Sequence, residues 1–194
     1  MEVVRSRMRV ALVLSAGGSR RFVGGNKLLA PLRGRPIVQH AVAAARAAPA
    51  GRVIVVVGRD RARVAAAARG PRVSIVHARH HAKGVGESLR AGLAALRPAE
   101  RTVFLFLGDV PVVPPGLTFR LARALRPGTV AVRPRDRAGP GHPVVMRRPS
   151  REIVARLQGD RGLGALIAGG TRWIGTVGHR SADIDTRRDL ARWR

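Results

Sequence analysis

Three short apolar runs, Val10–Leu14, Val53–Val57 and Val103–Leu107, punctuate this chain at wide intervals, and each is the size of one buried strand. Between them lie Ala/Leu/Arg-rich stretches of helical period, so short β-branched runs alternate with amphipathic helices. That is the pattern of β-α units feeding a mainly parallel sheet, an α/β fold. Strands are expected at about Val10–Ser15, Arg52–Val57, Val73–His77, Thr102–Leu107, Val130–Arg133, Pro143–Met146 and Trp173–Val177. Helices are expected at about Ile37–Ala47, Arg61–Arg69, Glu87–Leu96, Leu117–Leu125, Arg151–Leu157, Leu163–Ala168 and Arg187–Trp193. Pro36 suits a first helical turn, where an N–H has no partner to lose, and Thr186 with Asp189 three residues later predicts a capping box. The first four strands are nearly continuous apolar runs, which predicts helices on both faces of the sheet and reactive groups at the carboxyl ends of its strands. Arg133–Gly141, rich in Pro, Gly and charge, reads as the longest loop, and Pro143–Met146 after it as an antiparallel insertion. With no repeat, low-complexity tail or linker, residues 1–194 are expected to form a single domain.

The 37 Lys+Arg against 11 Asp+Glu leave a net charge of +26, a value that would suit nucleic acid or an acidic membrane surface. The arginines are scattered over every segment, however, and aromatic residues make up 3% with no Tyr, so neither a basic groove nor a stacking platform is visible. Arginine, alanine, glycine and proline are abundant together, a compositional drift rather than a nucleic-acid surface. Against it, only two lysines survive, Lys27 and Lys83, both in glycine-containing loops. Without cysteine there can be no disulfide, zinc-thiolate site, iron–sulfur cluster or thiol nucleophile. No apolar run approaches the roughly 18 to 20 residues that cross a bilayer. Arg5, Arg7 and Arg9 before Val10–Leu14 imitate a signal peptide, but Gly17, Gly18, Arg20 and Arg21 follow at once, so a cytoplasmic protein with no membrane partner is expected.

The strongest local feature directly follows the first strand: Leu14-Ser15-Ala16-Gly17-Gly18-Ser19-Arg20-Arg21-Phe22-Val23-Gly24-Gly25-Asn26-Lys27. Its glycines let backbone N–H groups turn toward a polyphosphate while Arg21 and Lys27 neutralise it. Leu28 after Lys27, and the long Gly17–Lys27 spacing, exclude a Walker loop, and the glycine pattern is not the G-x-G-x-x-G of a dinucleotide site. As a bare glycine-rich loop it fits a flexible turn with solvated arginines equally well.

The run Thr102–Leu107 ends in Gly108-Asp109-Val110-Pro111, which holds a carboxylate at a strand's carboxyl end, where magnesium can bridge it to substrate phosphates; an ordinary turn aspartate has the same letters. In Lys83-Gly84-Val85-Gly86-Glu87-Ser88-Leu89-Arg90-Ala91-Gly92-Leu93 a loop enters a helix, and the free N–H groups, the Ser88 hydroxyl and the small Gly92 can accept a base or ribose, or simply start a helix. His77, His80 and His81 raise a metal question, but with no second cluster His80 and His81 read as solvated loop residues. His142, before Pro143, is a rigidly presented hydrogen-bonding group. No Gly-x-Ser-x-Gly elbow supports a serine hydrolase.

Taken together these stretches resemble the molybdenum cofactor cytidylyltransferases and guanylyltransferases. The opening loop is similar to their L-x-A-G-x-S-x-R-F/M-G…K signature at Gly17, Ser19, Arg21 and Lys27, and Gly108-Asp109-Val110-Pro111 to their magnesium-binding G-D-x-P. Gly86–Leu93 is similar to their base-side G-x-S-L-x-x-G-L element. Gly141-His142-Pro143, Gly159-Asp160-Arg161-Gly162 and Asp183-Ile184-Asp185-Thr186 then follow in the family's order. Any one motif is weak, but together they span about residues 9 to 193. The resemblance implies a three-layer, Rossmann-like fold of the nucleotide-diphospho-sugar transferase type. It implies nucleotide binding by Ser15, Ala16, Gly17, Gly18, Ser19, Lys27, Ser88, Gly92 and Asp109, catalysis by Arg21, Lys27 and Asp109, Mg2+ on Asp109 and Asp185, and an acceptor facing His142. Ala16 and the G-H-P element look like the cytidylyl branch, which implies CTP and molybdopterin-bound molybdenum as substrates and an apo-molybdoenzyme as a partner. Ser15 departs from the usual Ala, and Val23 lengthens the approach to Gly24-Gly25. A transferase using GTP, or a sugar phosphate or phospholactate acceptor, and a non-catalytic cofactor-binding chaperone are the alternatives.

Overall fold

The computed structural model of the chain describes residues 6–19, 21–160, 162–176 and 183–193. Its strands are β1 (Arg9–Ser15), β2 (Pro31–Leu32), β3 (Arg35–Pro36), β4 (Arg52–Val57), β5 (Val73–His77), β6 (Thr102–Leu107), β7 (Ala131–Asp136), β8 (Gly139–Pro140), β9 (Val144–Arg147) and β10 (Thr171–Gly175). The helices are α1 (Ile37–Ala47), α2 (Arg61–Ala68), α3 (Val85–Ala94), α4 (Leu117–Ala124), α5 (Arg151–Ala155), α6 (Leu163–Ile167) and α7 (Arg187–Ala191). Seven strands lie in the order β10-β7-β9-β6-β1-β4-β5, with β8 added beside β7, and β2 and β3 form a separate two-stranded ribbon. Strands β6, β1, β4 and β5 are parallel, and β9 runs antiparallel to both β6 and β7.

The period-2 rule divides each central strand between two cores. Ala11, Val13, Val53, Val55, Val57, Phe104 and Phe106 face α1, α2 and α4, whose Val38, Ala41, Val42, Val64, Leu117 and Leu121 complete that layer. Val10, Leu12, Leu14, Ile54, Val56, Val103 and Leu105 face α3, α5 and α6 through Leu89, Leu93, Val154, Leu163, Leu166 and Ile167. Each fully buried Val, Leu, Ile or Phe stabilises by about 1.5–3 kcal/mol, which is why these strands carry almost no polar residue. The result is the three-layer α/β fold expected, helices on both faces of a mostly parallel sheet.

Two expectations are corrected by the sheet order. β5 is an edge strand, so none of its five residues is fully buried and Ile75 faces solvent; its apolar letters reflect β propensity rather than two covered faces. The stretch expected as one loop, Arg133–Gly141, is largely strand: β7 runs on to Asp136 and turns at once into β8, with Arg135 paired to Pro140 and Asp136 to Gly139. Pro134 and Pro140 removed the usual sequence signal; Pro140 sits on the two-residue β8 beside β7, while Pro134 lies inside the sheet opposite Ile174 of β10 and still accepts from the Gly141 N–H (2.8 Å) through its carbonyl. Elsewhere the boundaries shift by a residue or two: α3 starts at Val85 rather than Glu87, and β10 covers Thr171–Gly175, with Val177 outside the described residues. Among the described residues no helix is long and apolar enough to cross a membrane.

Candidate active site

β1 is flanked by β4 on one side and β6 on the other, so the chain leaves β1 in one direction and returns on the opposite side. The loops after β1 and β6 diverge at that switch point, leaving a crevice at the carboxyl ends of the strands. The crevice is a cleft of about 860 Å³, and its lining includes Ser15, Ala16, Gly17, Gly18, Ser19, Arg21, Lys27, Ser88, Asp109 and Asp185.

A web of hydrogen bonds shapes the loop after β1. Ser19 sits at φ 48°, its hydroxyl donates to Asn26 Oδ1 (3.2 Å), and it accepts from the Lys27 N–H (3.2 Å). Asn26 Oδ1 also accepts from Leu28 N (3.0 Å), capping the short 3-10 turn Lys27–Leu29, while its Nδ2 donates to Asp60 Oδ2 (3.1 Å) beyond β4. Ser19 therefore holds the loop closed, and Asn26, which carried no role in the sequence reading, is its organising residue. Gly24 and Gly25 take φ of 89° and 126°, values that favour glycine, so the approach to Lys27 turns where only glycine turns without strain.

The second arm is the end of β6. Gly108 N–H bonds to Leu14 O (2.8 Å), and a Cβ on Gly108 would collide with the Ser15 side chain, so the missing side chain lets the two strand ends close up. Asp109 follows immediately. The third arm is the C-terminal segment: Ile184 N–H bonds to Asp109 O (3.0 Å), and Ile184 and Leu190 pack with Phe22, Leu32 and Ile37 in a small core of their own. The expected capping box is present: Asp189 N–H donates to Thr186 Oγ1 (3.1 Å) and Thr186 N–H to Asp189 Oδ2 (2.8 Å). Arg187 adds a hydrogen bond to Val23 O (2.8 Å), so residues 183–193 are strapped onto the glycine loop.

These arms bring the charges together. Lys27 Nζ lies 2.6 Å from Asp109 Oδ2 and 2.7 Å from Asp185 Oδ1, and Arg21 Nη2 lies 2.5 Å from Asp185 Oδ2. Burial works against the Lys27 ammonium, but the Asp109 and Asp185 carboxylates more than offset it and hold its pKa above the ordinary range. Asp183 is also raised: burial, then the charges of Asp185 and Asp109, lift its pKa above that of a usual aspartate. Asp160 and Asp183 also line the cleft.

Two expected residues lie outside that lining. Gly92 faces the sheet: a Cβ there would sit 2.6 Å from Leu12 Cδ1 and 2.9 Å from Val56 Cγ2, so its smallness lets α3 settle onto β1 and β4. His142 sits two residues before Val144, which pairs with Leu105, and this antiparallel register carries it toward the carboxyl end of β6, on the cleft's edge of the sheet. Burial and then the Arg133 guanidinium push its pKa down to about 4, against a main-chain hydrogen bond with Leu105, so at neutral pH the imidazole is uncharged.

Other residues enter the cleft only through tertiary structure. Arg59, after β4, donates to Gly18 O across the loop. His81, expected in solvent, lines the cleft half-buried with its Nδ1 3.0 Å from Ala78 O, because Gly58 has no side chain to keep its ring away. Lys83 and Gly84 reach the cleft where Gly86 N–H bonds to Gly159 O (2.9 Å). Gly84 lies so close to Gly159 that neither loop could approach with a Cβ there, which gives the Gly159-Asp160 and Gly162 segment a packing role; Arg161 lies outside the described residues.

A family model for the MobA-like NTP transferase domain matches residues 11–176. The bifunctional protein GlmU of Burkholderia ambifaria is 34% identical over 125 residues, 64% of this chain and 27% of that protein. The chain thus spans about a quarter of the length of the curated relatives it matches. Among solved structures, Rv0371c from Mycobacterium tuberculosis H37Rv superposes with a TM-score of 0.82 at 30% identity, covering 96% of this chain and 97% of that one. The same protein in complex with manganese gives 0.75 at 30% identity, over 95% of this chain and 97% of that one. Molybdopterin-guanine dinucleotide biosynthesis protein A from Archaeoglobus fulgidus shares the fold, with a TM-score of 0.69 at 19% identity over 94% of this chain and 95% of that one.

Proposed function

Because the chain belongs to the MobA-like NTP transferase family, a family of nucleotidyltransferases, we propose that it transfers CMP from CTP to a phosphorylated acceptor, with molybdopterin-bound molybdenum as that acceptor, and releases pyrophosphate. The observation that carries this reading is the convergence of the Ser15–Lys27 loop, Asp109 and Asp185 on one cleft at the switch point of the sheet.

In this reading the triphosphate lies along Ala16–Lys27, with Ser88 toward the base or ribose and Arg21 and Lys27 on the phosphates. An acceptor phosphate oxygen forms a new bond to the α-phosphorus as the bond from that phosphorus to the bridging oxygen of the β-phosphate breaks, and pyrophosphate leaves with the electron pair. A phosphate monoester is already an anionic nucleophile, so no general base is required, and catalysis rests on positioning and on neutralising the leaving group. Arg21 and Lys27 stabilise the charge that develops there. His142, uncharged and on the same edge of the sheet beside the cleft, is assigned to the acceptor side.

The donor set suits a divalent cation. Asp109 and Asp185 already hold one cation, the Lys27 ammonium, between two hard carboxylate oxygens at 2.6 and 2.7 Å, and such oxygens match Mg2+ or Mn2+. When bound there, Mg2+ supplies positive charge to the phosphate oxygens.

The test is pyrophosphate release with CTP, GTP, ATP and UTP, each with Mg2+ and with molybdopterin, sugar-phosphate or phospholactate acceptors. Release that is greatest with CTP and molybdopterin supports the proposal. Preference for another pair reassigns the substrate, and no release with any pair favours a cofactor-binding chaperone.

A further inference from the structure

The Lys27 ammonium occupies the place between Asp109 and Asp185 that a divalent cation would take. Resting on the nucleotidyltransferase reading above, we infer that Lys27 is an exchangeable counter-ion: it closes the cation site until a triphosphate draws it away, so that the metal enters with the nucleotide and not before it.

Three observations support this. The Lys27 side chain is 11% exposed and both carboxylates point at it, so the ammonium is seated in the cleft wall rather than waving above it. Its backbone is fixed by the Ser19 hydroxyl and by the 3-10 turn that Asn26 caps, which leaves the four-carbon stem as the part that can swing. In a chain with only two lysines among 37 basic residues, this position holds a lysine. An ammonium is a compact point charge that fits between two carboxylates and can be passed to a phosphate; a guanidinium fork would lock onto one partner.

The electrostatics set the order of events. With Lys27 in place a dication would have to approach a like charge at contact distance, and the repulsion in a partly buried cleft is strong. A triphosphate reverses the balance, because it offers the ammonium several anionic oxygens along the glycine loop. Asp109 and Asp185 are then left beside Asp183, with the 74% exposed Arg21 paired to Asp185 Oδ2. A carboxylate group stripped of its ammonium attracts a dication.

The experiment titrates Mn2+ alone into nucleotide-free protein at pH 8, following the free-ion electron paramagnetic resonance signal, for wild type, Lys27→Met and Lys27→Gln, with thermal melts to verify folding. Both variants are expected to bind Mn2+ at least about tenfold more tightly than wild type, and adding Asp109→Asn to Lys27→Met should abolish the gain. With CTP added, wild type should take up Mn2+ beyond what the same CTP binds without protein. Equal or weaker Mn2+ binding by both folded variants overturns the inference. Pyrophosphate release by the same wild-type preparation tests the underlying reading separately. Release without a gain in the variants sinks the counter-ion role alone, and a gain without release for any nucleotide sinks the transferase reading while leaving the exchange intact.

Discussion

Two carboxylates bracket β6, Glu100 just before it and Asp109 just after it, and they are treated in opposite ways. Glu100 is saturated: Arg52 donates through Nε (2.7 Å) and Nη2 (3.0 Å), the Arg97 N–H adds a third bond (2.6 Å), and the side chain is 3% exposed. Burial alone would raise its pKa, but Arg52 and Arg97 more than offset that and hold it below the ordinary glutamate range. Among the described residues Asp109 has one side-chain ion partner, Lys27, which it shares with Asp185, and it remains 21% exposed on the cleft. A closed ion pair fixes where a strand begins, whereas an open one keeps oxygen lone pairs available to a ligand.

Removing Glu100 should give the largest effect and the cleanest test of the contrast. Glu100→Ala strands a largely buried guanidinium, and loss of one partner from such a pair costs about 3–5 kcal/mol, to be read as a fall in the urea midpoint. Turnover per folded molecule should be unchanged; a selective loss of turnover would make the Glu100 end functional after all. Asp109→Asn should do the reverse, lowering turnover on the order of 10²-fold or more while the melting temperature barely moves, because Lys27 keeps Asp185. Retained pyrophosphate release in that variant would remove Asp109 from the reaction.

His142 asks which behaviour a buried ionisable group on the carboxyl edge follows. Its pKa in the folded protein, about 4, lies below its ordinary 6.5, so the unfolded chain binds the extra proton between those values. Its contribution to stability is therefore complete above pH 6.5 and is lost as pH falls toward 4, up to about 3 kcal/mol. Unfolding free energies of wild type and His142→Gln, compared from pH 7 to 4, should diverge in that window, and parallel curves would show that His142 is not held neutral. The smallest effect is expected at the strap. Thr186→Ala loses the cap and should cost about 1 kcal/mol, with a modest rise in the nucleotide KM because Asp185 is held next to it. An unchanged melting temperature would mean that the small core around Ile184 suffices.

How much of this was legible in the sequence follows the same divide. The central strands were readable because two-sided burial leaves continuous apolar letters, as in Val53–Val57, and the limits of β4, β5, β6 and α1 coincide with those expected. The edge position of β5 was not, since Val73–His77 carries strand-forming residues whichever faces are covered. The two-residue strands β2, β3 and β8 are too short to show any period. At the site, glycine turns and a strand-terminal aspartate were visible as local patterns. Arg59, His81 and the bond from Asn26 to Asp60 were hidden, because they depend on β4 and β5 delivering distant loops to one place. Gly92 shows the converse error, where a small residue expected to make room for a base makes room for a sheet.

The reversed course of β9 has a consequence for how such a protein could change what it accepts. A forward strand delivers only its exit to the reactive rim, but β9 delivers its entrance, Gly141-His142-Pro143, and the hairpin feeding it turns at residues 136–140, at the same end of the sheet. That turn bears no part of the central cores. In the transferase proposed above, its length and lettering can be rewritten while the glycine loop and Asp109 stay as they are, so the acceptor side and the nucleotide side would be free to diversify separately.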